Sequence, residues 1–199
     1  MRGSAAMRLA GSMAGLVLAA VTAESAVSLA RQEAPVARNC SSSVYGDLES
    51  DWLKSSIVAG PLAFAYAREY SSSRQSFASV GGGRYRPTKL LALVRTGWVV
   101  RLVVPPAQRR KVALRYSPTN FNEVIAPAEG AHDVTFTACP PGRPFLGPKT
   151  ARWTQFNGGV VVAGRRCVTL AVYAAKQGQP LPRAALRARL SFGRATCRT

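Results

Sequence analysis

Four cysteines, one histidine and nine carboxylates are the side chains of this 199-residue sequence that could do covalent, metal or acid–base chemistry. Cys40, Cys139, Cys167 and Cys197 include no close C-x-x-C pair, so they lack the spacing of a four-cysteine zinc site. An even count suits two disulfides instead, for which three pairings exist. Chain position favours Cys40 with Cys197, at the two ends of the mature domain, and Cys139 with Cys167, each beside a predicted strand. Each bridge would add roughly 2 to 4 kcal/mol by restricting the unfolded chain.

A metal centre built on imidazoles needs two or three of them, and His132 is the single histidine. No G-x-S-x-G elbow and no S-x-x-K occurs, so only the His132–Asp133 neighbourhood offers a base for a nucleophile. Glu123, Glu129 and Asp133, or the alternating trio Asp47, Glu49 and Asp51, could act as acid and base on a glycan. Both groups sit in polar, turn-rich sequence where carboxylates are ordinarily solvated. The expectation is a non-enzymatic protein with no cofactor and no metal, and a small glycan-processing enzyme is the alternative those carboxylates keep open.

The charge is lopsided: 27 Lys and Arg face 9 Asp and Glu, a net +18. Residues 70–122 hold ten cations and residues 134–199 hold eleven, with no acid in either block. Such a field draws anions. The best local candidate is the segment YSSSRQSFASVGGGRYRP, residues 70–87. There Arg74, Arg84 and Arg86 would grip anions bidentately while Phe77 and Tyr85 stack on rings of the ligand. The run Gly81-Gly82-Gly83 is not followed by G-K-[ST], so it supplies flexibility and no phosphate loop. GC-rich coding is the competing source of the charge, since Arg outnumbers Lys 22 to 5.

The elements that must position these residues begin with a leader. Arg2 and Arg8 precede a short apolar stretch, residues 9–20, and small residues follow, the pattern of a signal peptide at 1–23 cleaved after Ala23, with Ala30 the second choice. Ser12, Thr22 and Glu24 interrupt the stretch, and about 20 apolar residues are needed to cross a bilayer, so no transmembrane span is expected in the mature chain. A secreted or cell-envelope location follows, which permits disulfides and takes nucleic acid out of reach. The anions near at hand are then wall polymers, acidic glycans and lipid head groups.

Residues 24–53 read as an N-terminal extension and 54–199 as one β domain, without repeats. Within 185–192, Leu186, Ala188, Leu190 and Phe192 alternate with Arg187, Arg189 and Ser191, a period of two that only a strand keeps. Residues 89–104 read as two strands joined by a tight turn at Thr96-Gly97, with Trp98, Val100, Leu102 and Val104 on one face. Further strands are expected within 57–67, 111–116, 133–138, 153–163 and 167–174, about eight in all. Gly158-Gly159 signals a bulge or bend, and residues 47–54 a helical turn or two with Leu48 and Trp52 on one side. The expected fold is an all-β, immunoglobulin-like antiparallel β-sandwich with two disulfides.

The stretch TQFNGGVVVAGRRCVTLAVY, residues 154–173, with LSFGRATC near the end and Gly60-Pro61-Leu62-Ala63 near the start, resembles uncharacterised exported β-rich proteins of GC-rich bacteria. The resemblance implies an exported, disulfide-linked β domain and carries over no activity and no functional residue. The function read from the sequence is binding of anionic cell-envelope components through Arg-rich loops, and the alternative is a structural or protein–protein interaction module.

Overall fold

Alternating apolar and polar residues make strands of most of this chain in the computed structural model, which describes residues 36–71, 77, 79–117, 122–141, 152–193 and 197. The proposed signal segment 1–23, both cleavage choices and Arg74 lie outside these residues. In chain order the strands are β1 (Val36–Arg38), β2 (Ile57–Ala59), β3 (Leu62–Phe64), β4 (Thr88–Lys89), β5 (Ala92–Arg95), β6 (Trp98–Val103), β7 (Val112–Arg115), β8 (Asp133–Thr137), β9 (Trp153–Phe156), β10 (Gly159–Val162), β11 (Arg166–Lys176) and β12 (Leu186–Phe192). They form three sheets with orders β1-β8-β6-β11-β12, β2-β3-β5-β9 and β4-β10-β7. All pairings are antiparallel except the edge pair β1–β8.

Twelve strands among the described residues, against about eight expected, reflect where runs break. Residues 57–67 fold back on themselves as the hairpin β2–β3, with Gly60 at φ 60° in its turn. Residues 153–163 bend at Asn157-Gly158, so β9 pairs with β5 while β10 pairs with β4 and β7. The bend needs glycine, because a Cβ on Gly158 would lie 2.2 Å from Cδ1 of Tyr116. The turn at Thr96-Gly97 is present, with Gly97 at φ 77°, yet β5 and β6 enter different sheets and do not pair.

One face of each sheet closes a common core. Val100, Leu102, Val134, Phe136, Val168, Leu170, Val172, Leu190 and Phe192 from the largest sheet meet Leu62, Phe64, Val94 and Phe156, and also Val112, Leu114, Tyr116, Val160 and Val162. Tyr116 stands edge-on to Phe136, ring centroids 5.0 Å apart, and donates its hydroxyl hydrogen to the Leu90 carbonyl at 2.8 Å. Burial raises the Tyr116 pKa well above its ordinary value, so the phenol stays a neutral donor.

The expected boundary at 53/54 does not hold, because residues 36–53 are integral to the β unit. The whole described region lies in one compact unit, Glu33–Thr199. β1 pairs with β8, and Val44 bridges Gln155. Leu48 and Trp52, the latter opening α1 (Trp52–Ser55), pack on Ala63, Ala65 and Leu93. They cover apolar side chains that the common core leaves out.

The disulfides are Cys40–Cys139 and Cys167–Cys197, which corrects the pairing expected from chain position. β1 and β12 are opposite edges of the five-stranded sheet, roughly 19 Å apart at ~4.8 Å per strand, whereas a disulfide needs Cα atoms within about 7 Å. β8 and β11 run in the same direction, each antiparallel to β6. Cys139 follows the end of β8 and Cys167 lies at the start of β11, second after Arg166, so along the strands they stand on the order of 30 Å apart. The observed bridges each fasten one edge of the same sheet, with Cα–Cα distances of 4.7 and 5.5 Å.

The β6–β11 ladder ends where Pro105 would have to donate, and Gln108 completes it. Its carboxamide donates to the Thr169 carbonyl and accepts from the Thr169 amide, both at 3.2 Å. Gln108→Ala removes the partners of the partly buried Thr169 amide and carbonyl and is expected to cost about 1 kcal/mol, lowering Tm by roughly 2–4 °C. Differential scanning calorimetry reads the shift.

Candidate functional site: a basic end

At the end of the largest sheet where β6 finishes and β11 starts, two turns meet. The first runs from Pro105 to Lys111 and contains the 3-10 turn Pro106–Gln108. The second is Ala163 to Arg165, with Gly164 at φ 74°. The Ala163 amide donates to the Lys111 carbonyl at 2.8 Å, so the turns are neighbours by backbone hydrogen bonding. Their sequences, QRRK and GRR, contain no acid and bring Arg109, Arg110, Lys111, Arg165 and Arg166 to one end of the fold, where Asp133, opposite Val103, is taken up by Arg101. Arg109, Arg110, Lys111 and Arg165 are exposed. Among the described residues no carboxylate forms an ion pair with any of the five, since the ion pairs there join Asp51 to Lys54, Glu129 to Arg84, Asp133 to Arg101 and Glu123 to Arg115. The Arg166 Nε is buried without a hydrogen-bond partner.

The residues singled out from the sequence fall differently. The three glycines close a tight turn in which the Val80 amide donates to the Arg84 carbonyl at 2.9 Å. The Arg84 guanidinium is engaged, donating to Glu129 Oε1 at 2.8 Å and to the Val124 carbonyl at 2.8 and 3.2 Å. Tyr85 exchanges backbone hydrogen bonds with Ile125 and packs on the small cluster Ala113, Ile125 and Val161. Phe77 is 6% exposed and meets Phe192 edge-on at 5.7 Å, so its ring is core and does not face a ligand. Arg86 is exposed.

The carboxylates are dispersed. Glu123, Glu129 and Asp133 each serve a different arginine, and the hydrogen bond from Arg101 to Asp133 raises the Arg101 pKa from its ordinary value. The His132 ring is held by backbone: its Nε2 lies 3.1 Å from the Pro127 carbonyl and 3.2 Å from that of Arg109, two acceptors that require Nε2 to carry the proton. Among the described residues no three His, Cys, Asp or Glu side chains gather to hold a metal ion. The basic end was recoverable from the doublets Arg109-Arg110 and Arg165-Arg166, but only strand order shows that the two doublets meet. The chain matches no known family model and no curated relative.

Proposed function

We propose that this chain is an exported, non-enzymatic, immunoglobulin-like β-sandwich that holds anionic cell-envelope material on its basic end. In this reading the β2-β3-β5-β9 and β4-β10-β7 sheets form one layer, bent where β4 continues into β5 and β9 into β10, and β1-β8-β6-β11-β12 forms the other. The signal-peptide pattern and the likeness to exported β-rich proteins support export, and two disulfides suit an oxidising compartment. The observation that carries the binding assignment is the meeting of the 105–111 and 163–165 turns. It concentrates Arg109, Arg110, Lys111 and Arg165 where no described carboxylate neutralises them. Codon bias would scatter arginines over the surface with no preference for such a junction.

Retention on anionic cell-wall polymer tests it. With four or five cations engaged, log K is expected to fall with log salt at a slope of about −3. The triple variant Arg110→Gln, Lys111→Gln, Arg165→Gln is expected to reduce that slope by about 2. Retention indifferent to salt, or unchanged in the triple variant, would overturn the assignment.

A further inference from the structure

We infer that the ligand is a linear anionic glycan, laid from the basic end onto the outer face of the five-stranded sheet with one sugar ring against Tyr173. The inference rests on the proposed binding function and adds the class of ligand. Three observations carry it. First, the basic end passes onto this face without a break. Gln108, from the turn that holds Arg109 to Lys111, is hydrogen-bonded to Thr169, and Thr169 stands opposite Arg189 in the β11–β12 ladder. Two residues further along, Ala171 stands between Arg187 and Val103, and next comes Tyr173 opposite Arg101. The two cations of β12, Arg187 and Arg189, stand two residues or about 6.7 Å apart on this face, so two anions of one extended polymer can be met along the strand.

Second, the side chains beside this line are small. Thr169 and Ala171 leave a shallow floor between Arg187 on one side and Val103 on the other, and Tyr173 is the aromatic ring in that row. Tyr173 is half-buried and Arg187, opposite Ala171 on the neighbouring strand, is exposed, so the two are diagonal neighbours on one face at about 7–8 Å, a spacing that an aromatic ring and a long guanidinium side chain can bridge. A ring beside a fork of donors fits a sugar carrying an anion, because C–H groups pack on the aromatic face while the anion takes the fork.

Third, the face is poorly made for a bilayer. Among the described residues the exposed large apolar side chains are Tyr45, Leu53, Val58, Val80 and Leu186, and the one on this sheet, Leu186 of β12, pairs with buried Val172 on the side of the alternation away from the outer face. Peripheral membrane binding needs apolar side chains to enter the acyl boundary beside the basic ones. A hydrated polymer needs none.

The test compares wild type with Tyr173→Ala and Tyr173→Phe, using three probes: polygalacturonate, inorganic polyphosphate, which has charge without rings, and phosphatidylglycerol vesicles. Tyr173→Ala is expected to weaken polygalacturonate binding about fivefold to tenfold, the size of a few weak C–H contacts, and to leave polyphosphate binding within about twofold. Tyr173→Phe keeps the ring and is expected to bind as wild type, which separates stacking from any loss of folding. Equal effects of Tyr173→Ala on polygalacturonate and polyphosphate, or no effect on either, would overturn the glycan inference while leaving anion binding intact. Vesicle binding tighter than polygalacturonate binding would overturn it in favour of lipid. Salt-insensitive binding of all three probes would overturn the binding function itself.

Discussion

Replacing Cys40 and Cys139 with alanine is expected to cost the fold about 4 kcal/mol, a large share of the 5–15 kcal/mol typical of a domain. The bridge spans 99 residues, and closing so long a loop removes more entropy from the unfolded chain than the 30-residue span of Cys167–Cys197, whose loss is expected to cost about 1 kcal/mol less. Local structure points the same way. β1 is three residues long, lies at the sheet edge and is held by one parallel pairing, so the bridge carries much of its attachment beside Arg38 and the Val44–Gln155 contact. Urea denaturation of the two double variants reads the order. A non-reducing peptide map is expected to recover Cys40 linked to Cys139, and a Cys40–Cys197 fragment would contradict the strand order as well as the pairing.

Arg38→Met is expected to be nearly as costly, about 2–4 kcal/mol, with Tm lower by roughly 5–15 °C. Arg38 is 3% exposed on β1. Its Nη1 donates to the carbonyls of Tyr116 and Asn157, the latter at 3.1 Å, and its Nη2 and Nε bond the Ser42 carbonyl and hydroxyl. The guanidinium also lies 5.8 Å from the Phe156 ring centroid. These partners join β1 to the end of β7 and to the β9–β10 bend, so one side chain ties the edge of the largest sheet to the other two.

Two effects oppose one another. Burial lowers the Arg38 pKa from its ordinary value, which marks a desolvation cost that methionine would relieve. Against that, each buried acceptor left without a donor costs about 1–3 kcal/mol, and methionine satisfies none of them. The orphaned carbonyls outweigh the relief. Arg38→Lys restores charge without the planar fork and is expected to recover less than half the loss. An Arg38→Met chain as stable as wild type in thermal melts would show that the carbonyls find other donors. Because Arg38 and Cys40 hold the same strand, the two losses are expected to be less than additive, which a double-mutant cycle measures.

Much of the fold was legible because the signal is local. The alternation of Leu186, Ala188, Leu190 and Phe192 with Arg187, Arg189 and Ser191 becomes β12 with its apolar residues inward, and the 89–104 pattern becomes β5 and β6. Leu48 and Trp52 share a cluster as their spacing suggested. What misled was nearness in sequence. Phe77, Arg84 and Tyr85 look like one basic aromatic loop, but Phe192, Glu129 and Ile125, all remote in the chain, take up their ring, charge and backbone. Val58 gave no warning either: it alternates correctly for a strand, yet the run turns back at Gly60.

From the amino-acid order alone come strand character, the sign of the surface charge and the number of cysteines available to pair. Each depends on residue type or on a two-residue period, which burial of one sheet face imposes within a few neighbours. Which cysteines join, which arginines keep their charge for a ligand and which strands share a sheet were decided by tertiary structure. Those outcomes rest on the order β1-β8-β6-β11-β12, in which Val36 lies opposite Val134 and Val103 opposite Ala171. Register between such distant segments is selected by the packing of the whole core, and no short window of sequence contains it.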